Sequence, residues 1–254
     1  MKRFRITLSY DGTAYHGFQR QRIGQTTVQS TLEQTLSKIA NVRVSVFSSG
    51  RTDAGVHARV QAVHTNLPEK WEHTEALQSA LNSLLPSDIR ILKAEIMPDH
   101  FHALRDAKKK MYVYFINPQP VQNPVLARYS WHLRFPLDWN AMAQAGQAFV
   151  GRHDFKAFAA ADHSAKTTVR TIESFEWGTL VVPGFGGNTG LGYFKVVGQG
   201  FLKNMVRIMV GSLVRVGAGK APVDSIARAL ISGQRNQAGS TAPPHGLWLW
   251  DVLY

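Results

Sequence analysis

Arg51-Thr52-Asp53, with Gly50 before it and Gly55 and His57 after it, is the densest run of chemistry-bearing side chains in the chain. It lies between two runs of strand-like alternation, so it reads as a loop, and loops carried on rigid elements commonly present side chains to ligands. An ordinary hairpin loop with Asp53 as a turn residue uses the same residue types. The placement of charge favours chemistry. A carboxylate with a guanidinium two residues away stays ionised, and an ionised carboxylate can act as a nucleophile or a base.

Two further groups of residues bear on substrate. Lys108-Lys109-Lys110 runs into Tyr112 and Tyr114 on a strand-like segment, the interleaving of charge and rings that tracks phosphates and stacks bases. Solubilising lysines on a strand edge give a similar pattern. From Phe201 to Val216 the chain reads as a strongly apolar helix on which Lys203, Arg207, Gly211 and Arg215 recur at steps of four, a basic stripe that suits an anionic partner or, equally, solvent. His100 and His102 lie at strand spacing and, with His57 or His64, offer a candidate metal site, although turn and core histidines account for them more simply.

Other motifs are excluded. Gly217-Ala218-Gly219-Lys220 lacks both the first Gly and the Ser or Thr of a phosphate loop. Gly184 to Gly192 connects two strand-like runs and reads as a hairpin turn rather than a dinucleotide fingerprint. No G-x-S-x-G elbow occurs. A glycosidase would need a second acid such as Asp99 or Asp154 opposite Asp53.

The elements that position these groups follow from periodicity. Phe4, Ile6, Leu8 and Tyr10 alternate as a strand that Asp11-Gly12 ends. Thr26 and Gln29 suggest a capping box ahead of a helix on Val28, Leu32, Leu36 and Ile39. Val42, Val44 and Val46 predict a strand, Val60 to Thr65 its hairpin partner, Leu77 to Leu85 a helix stopped by Pro86, and Ile89 to Leu92 a further strand. The order β-α-β-β-α-β is that of a split βαβ, ferredoxin-like unit, whose open sheet face suits RNA. Beyond a boundary near residue 105, Met111 to Asn117 predicts a strand, Asp138 to Phe149 a helix, Val169 to Val182 and Tyr193 to Val197 strands, and Leu247 to Leu253 a final strand. The expected class is α+β, with domains 1–105 and 106–254.

With 254 residues, 44% apolar and 18% charged, the chain has the composition of a folded protein rather than a disordered one. Its net charge of +12 and the excess of Lys and Arg in both halves point to a polyanionic partner, nucleic acid first. The absence of Cys excludes disulfides and thiol chemistry and fits a reducing compartment. No apolar run reaches the length of a membrane span, so a soluble cytoplasmic protein is expected.

Taken together, the segments resemble the TruA family of tRNA pseudouridine synthases. The resemblance rests on Tyr10-Asp11-Gly12-Thr13-Ala14-Tyr15-His16-Gly17-Phe18-Gln19-Arg20-Gln21 and Gly50-Arg51-Thr52-Asp53-Ala54-Gly55-Val56-His57-Ala58, and continues through Leu81 to Pro86, Asp99 to Ala103, Gly151 to Phe155 and Gly200 to Arg207. It implies a pseudouridine synthase fold, two ferredoxin-like, RRM-like halves with antiparallel sheets around a basic cleft. It implies that Asp53 is the catalytic aspartate, with Arg51 beside it in the loop, Arg207 paired with it and Tyr112 stacked on the target base. Leu247, Lys203 and Lys110 are expected to contact substrate. The implied partner is the tRNA anticodon stem-loop, modified on its 3′ side by a homodimer without metal or organic cofactor. A non-catalytic RNA-binding module remains the competing expectation. Val60 stands where the family usually has Gly before Gln61, and Leu104 where an Arg usually follows Phe-His-Ala; these departures bear on which uridines are modified.

Overall fold

A computed structural model describes residues 1–21, 24–162, 165–181 and 190–254. The chain forms two compact units, Met1–Lys108 with Trp248–Tyr254, and Lys109–Leu247. The division falls just past the expected residue 105, and the last strand belongs with the first unit.

In the first unit, strand β1 (Lys2–Tyr10) buries Phe4, Ile6, Leu8 and Tyr10 on one face, as its alternation dictates. It pairs antiparallel with β3 (His57–Leu67) on one side and β4 (Ile89–Met97) on the other. The far edge of β3 is shared: β2 (Phe47–Ser48) pairs antiparallel at Val63 and His64, and β10 (Leu247–Leu253) pairs parallel at His57 and Ala58. Helix α1 (Val28–Ala40) buries Val28, Leu32, Leu36 and Ala40. Helix α2 (Thr74–Leu84) buries Leu77 and Leu81 and uses Gln78 and Asn82 to bond the backbone of β4 at Ile91 and Leu92.

Two local expectations need correction. The N-cap of α1 is Thr27, whose hydroxyl accepts the Ser30 N–H at 3.1 Å while Ser30 Oγ accepts the Thr27 N–H at 3.1 Å; the box is one residue later than Thr26–Gln29. Val42, Val44 and Val46 form no strand. The Val44 N–H donates to Ser37 Oγ and the Val46 N–H to Glu33 Oε1, so side chains of α1 take the groups a ladder would have used.

The second unit orders its sheet as β6-β5-β9-β8-β7. The strands are β5 (Lys109–Asn117), β6 (Trp131–His132), β7 (Gly151–Asp154), β8 (Val169–Leu180) and β9 (Leu191–Gly198). Phe149, Phe155, Phe158, Phe175 and Phe194 are buried together as its aromatic core. Among the described residues, three α-helices accompany this sheet: α3 (Trp139–Gly146), α4 (Met205–Gly217) and the unanticipated α5 (Ser225–Ser232). Asp138 is the N-cap of α3, its carboxylate accepting the Ala141 N–H at 2.9 Å. The antiparallel expectation is corrected in both units, because β3/β10 and β5/β6 run parallel. The Gly-rich stretch read as a hairpin turn between Gly184 and Gly192, and the end of the strand expected to reach Val182, fall largely outside the described residues, although β8 and β9 do pair antiparallel.

Candidate active site

In the first unit, the Asp53 loop is held from below by the segment that follows β1. The Phe18 N–H donates to Thr52 O at 3.1 Å, and the Gly55 N–H to Tyr15 O at 3.4 Å. Gly17 has φ +89°, and a Cβ there would stand 2.8 Å from Thr52 O and 3.2 Å from both Ala54 N and Asp53 C, so this close approach admits only glycine. Tyr10 OH and Thr52 Oγ1 are 2.7 Å apart in the core. Burial pushes the Tyr10 phenol up to about 12, so it remains a neutral hydrogen-bonding partner. Ser49, fully buried, donates its hydroxyl to Gln61 Oε1 at 2.5 Å, and Gln61 Nε2 donates to Gly50 O at 2.9 Å. The start of the loop is therefore pinned by side chains of flanking strands and its far end by the Tyr15 backbone, and the motifs that stand apart in sequence form one structure.

Within the loop, Asp53 is half-buried and its carbonyl accepts the Val56 N–H at 3.1 Å. Arg51 is exposed and its side chain makes no hydrogen bond or ion pair with a described residue, so neighbourhood in sequence does not become a bond. His57, fully buried, accepts the Gly12 N–H at Nδ1 over 3.1 Å. Asp11 Oδ1 lies 3.1 Å from the same nitrogen. The Trp248 ring stacks on His57 at 4.5 Å, and Arg59 lies over the Trp250 ring at 5.1 Å. Sequence reasoning singles out Leu247 on this strand and passes over both tryptophans; the Leu-Trp-Leu-Trp alternation is the signal that points to them.

The candidate histidine site is only partly assembled. His64 and His102 rings lie 4.5 Å apart, and His64 Nδ1 accepts the Ala103 N–H at 3.1 Å. Burial, with the charges of His102 and Arg3, pushes His64 down to about 4. Among the described residues, no group of three or more His, Cys, Asp or Glu is arranged to hold a metal ion. Of the acids considered as second carboxylates, Asp99 is exposed, and Asp154 accepts the Lys156 N–H in a turn.

In the second unit, Tyr112 is buried on β5, its ring edge-on to Phe201 at 4.9 Å. Tyr114, two residues on, is fully buried and donates to Pro243 O at 2.8 Å; it belongs to the core and not to a binding surface. The three lysines also part company: Lys108 is exposed, Lys109 pairs with Glu173 at 2.5 Å, and Lys110 is buried. Leu247 is buried at the start of β10.

Helix α4 begins four residues later than expected, because Asn204 adopts a left-handed φ of 61°. Lys203 therefore precedes the helix, where it is exposed and paired with Asp162 at 2.5 Å. Gly211 is packed so closely that a Cβ would stand 1.8 Å from Ser240 O, and the expected basic stripe does not form. That close packing sets Arg207. Its Nε donates to Ala242 O at 2.7 Å and its Nη1 to Asn204 Oδ1 at 2.8 Å, so the guanidinium is aimed by backbone and amide acceptors. The unit thus fixes a ring, an oriented guanidinium and a buried ammonium, while the first fixes a carboxylate on a braced loop. A ring beside an ammonium suits a base and its phosphate, and a carboxylate on a braced loop suits a nucleophile or base.

A braced carboxylate loop on an α+β fold, in a chain with a net charge of +12, suits an enzyme that acts on a nucleic acid. The sequence model of a family described as tRNA pseudouridine synthase matches residues 6–104 and 145–254, and the chain belongs to that family. It is 44% identical to tRNA pseudouridine synthase A of Syntrophotalea carbinolica, over 98% of this chain and 95% of that protein. The same named protein from Bacillus velezensis is 42% identical, with 99% of both chains covered, and that of Bacillus subtilis 39% identical, again with 99% of both.

Proposed function

We propose that this protein isomerises uridine to pseudouridine in tRNA, with the 3′ side of the anticodon stem-loop as its target. The observation that carries the reading is the family match across both units, which takes in the braced Asp53 loop and the anchored Arg207. The reaction breaks the N1–C1′ bond, turns the uracil within the site and rejoins C5 to C1′, with the C5 proton lost and one returned to N1. Atoms and electrons balance within the substrate, so the protein has to supply a base or nucleophile, a grip on the base and exclusion of water.

Asp53 starts the cleavage, either by bonding to the sugar or the base or by taking a sugar proton. Arg207 serves as its cationic partner, keeping it ionised and oriented, with Arg51 alongside. Tyr112 stacks on the flipped base; such stacking is worth roughly 1–3 kcal/mol per base and offsets part of the cost of extrusion. Leu247 packs against the uracil, and Lys203 and Lys110 meet the RNA. The protein works as a homodimer in the cytoplasm, where tRNA resides. Among the described residues no helix is long and apolar enough to cross a membrane.

The test is pseudouridine mapping in unmodified tRNA incubated with wild-type protein and Asp53→Asn. The variant is expected to form none while binding tRNA within a few fold of wild type. Normal conversion by Asp53→Asn would remove the aspartate from the mechanism, and no conversion by wild type on any tRNA would leave an RNA-binding module.

A further inference from the structure

Lys110 and Arg170 are two cations for which the described residues supply no carboxylate. Lys110 faces Gly198 of β9 across the sheet, Gly198 faces Ile172 of β8, and Arg170 stands two residues before Ile172 on the same strand. Alternation along β8 puts Arg170 and Ile172 on one face. Lys110 is 8% exposed, yet its ammonium makes no hydrogen bond or ion pair with any described residue. Arg170, half-buried, spends Nη1 on the carbonyls of Thr167 at 2.9 Å and Val169 at 2.6 Å, with its stem beside Gly200. Nearby lysines are treated differently, for Lys109 pairs with Glu173, Lys195 with Glu176 and Lys203 with Asp162.

Burying an ammonium without a counter-ion is costly, and a second cation beside it raises that cost. Burial, reinforced by Arg170, pushes Lys110 down to about 8. An arriving anion offsets the penalty. Gly200 leaves room beside the Arg170 stem, since a Cβ there would meet only Arg170 itself, at 3.8 Å, whereas Gly198 is covered by Ile172 and Phe201. Tyr112 lies two residues from Lys110 on the same face of β5, about 6.5–7 Å along the strand. That separation is of the order of one nucleotide, and the anion RNA offers at each nucleotide is a phosphodiester.

We propose that Lys110 and Arg170 together hold a backbone phosphodiester of the RNA strand, adjacent to the nucleotide stacked on Tyr112. The proposal rests on the reading of Tyr112 given under Proposed function. It extends that reading by adding Arg170 and by naming the group recognised. The contact is sequence-independent and positions the strand.

The experiment measures binding of an unmodified tRNA transcript across a series of KCl concentrations. Lys110→Met and Arg170→Gln are each expected to weaken binding several-fold and to reduce the slope of log Kd against log salt by about 1, while Lys110→Arg keeps the wild-type slope. A neutral methylphosphonate in the linkages flanking the target uridine is expected to weaken binding to wild type and to leave Lys110→Met unaffected. A steep wild-type slope that neither variant changes, or a slope that Lys110→Arg fails to keep, overturns the phosphate site alone. A shallow wild-type slope would instead fault the RNA reading beneath it.

Discussion

Gly17→Ala tests whether the segment after β1 sets the position of the catalytic loop. Two costs add at this position. The backbone at φ +89° is strained for any residue with a Cβ, worth roughly 1–2 kcal/mol. The new methyl also meets Thr52 O at 2.8 Å and the Asp53 and Ala54 backbone at 3.2 Å, and because backbone cannot rotate away, overpacking adds roughly 1–3 kcal/mol. The expected loss is therefore about 2–5 kcal/mol by urea unfolding. Gly219→Ala supplies the control, because Gly219 has φ +69° and a Cβ there would meet nothing within 4 Å, so it carries only the strain, roughly 1–2 kcal/mol. Activity separates the two further. Pushing the loop shifts Asp53 by a fraction of an ångström or more, and misplacements on that scale cost up to about 100-fold in turnover. Gly17→Ala should lose roughly 10- to 100-fold in kcat for pseudouridine formation, and Gly219→Ala should keep wild-type kcat. Equal stability losses in the two variants, with equal kcat, would refute the idea that Gly17 braces the loop.

Two further outcomes are expected. The Tyr10 phenol stays protonated in the folded protein to about pH 12, whereas an unfolded chain begins to ionise near pH 10; its contribution is complete below pH 10 and is lost as pH rises from there to about 12. Urea unfolding should show Tyr10→Phe less stable by roughly 1–2 kcal/mol at neutral pH, with Thr52 unpaired, and losing less stability than wild type between pH 10 and 12; parallel curves would refute the linkage. Light scattering coupled to size exclusion should give twice the chain mass, and a monomer at assay concentration would remove the homodimer from the proposed function.

Several features were legible because they depend on neighbours along the chain. The alternation of Phe4, Ile6, Leu8 and Tyr10 fixes β1, and the four-residue recurrence of Val28, Leu32 and Leu36 fixes α1, since both follow from which side of an element faces apolar neighbours. The long motifs around Gly12 and Asp53 were sufficient to place the chain in its family. Failures came where distant groups competed for the same backbone. Val44 and Val46 have strand propensity, but Ser37 and Glu33 on α1 took their N–H groups, and the left-handed turn at Asn204 cut the first four residues from an otherwise convincing helix.

Composition and local pattern alone determined that this is a folded, basic α+β protein carrying an aspartate on a glycine-flanked loop. Tertiary structure decided which of its many charged groups are available. Lys109, Lys110 and Lys203 look alike in the sequence, yet Glu173 neutralises the first, Asp162 pairs with the third, and Lys110 is left buried beside Arg170 with no carboxylate among the described residues. Whether a charge is matched depends on chain segments tens of residues away. Electrostatic partnership acts through space and solvent exclusion, so no local pattern encodes it.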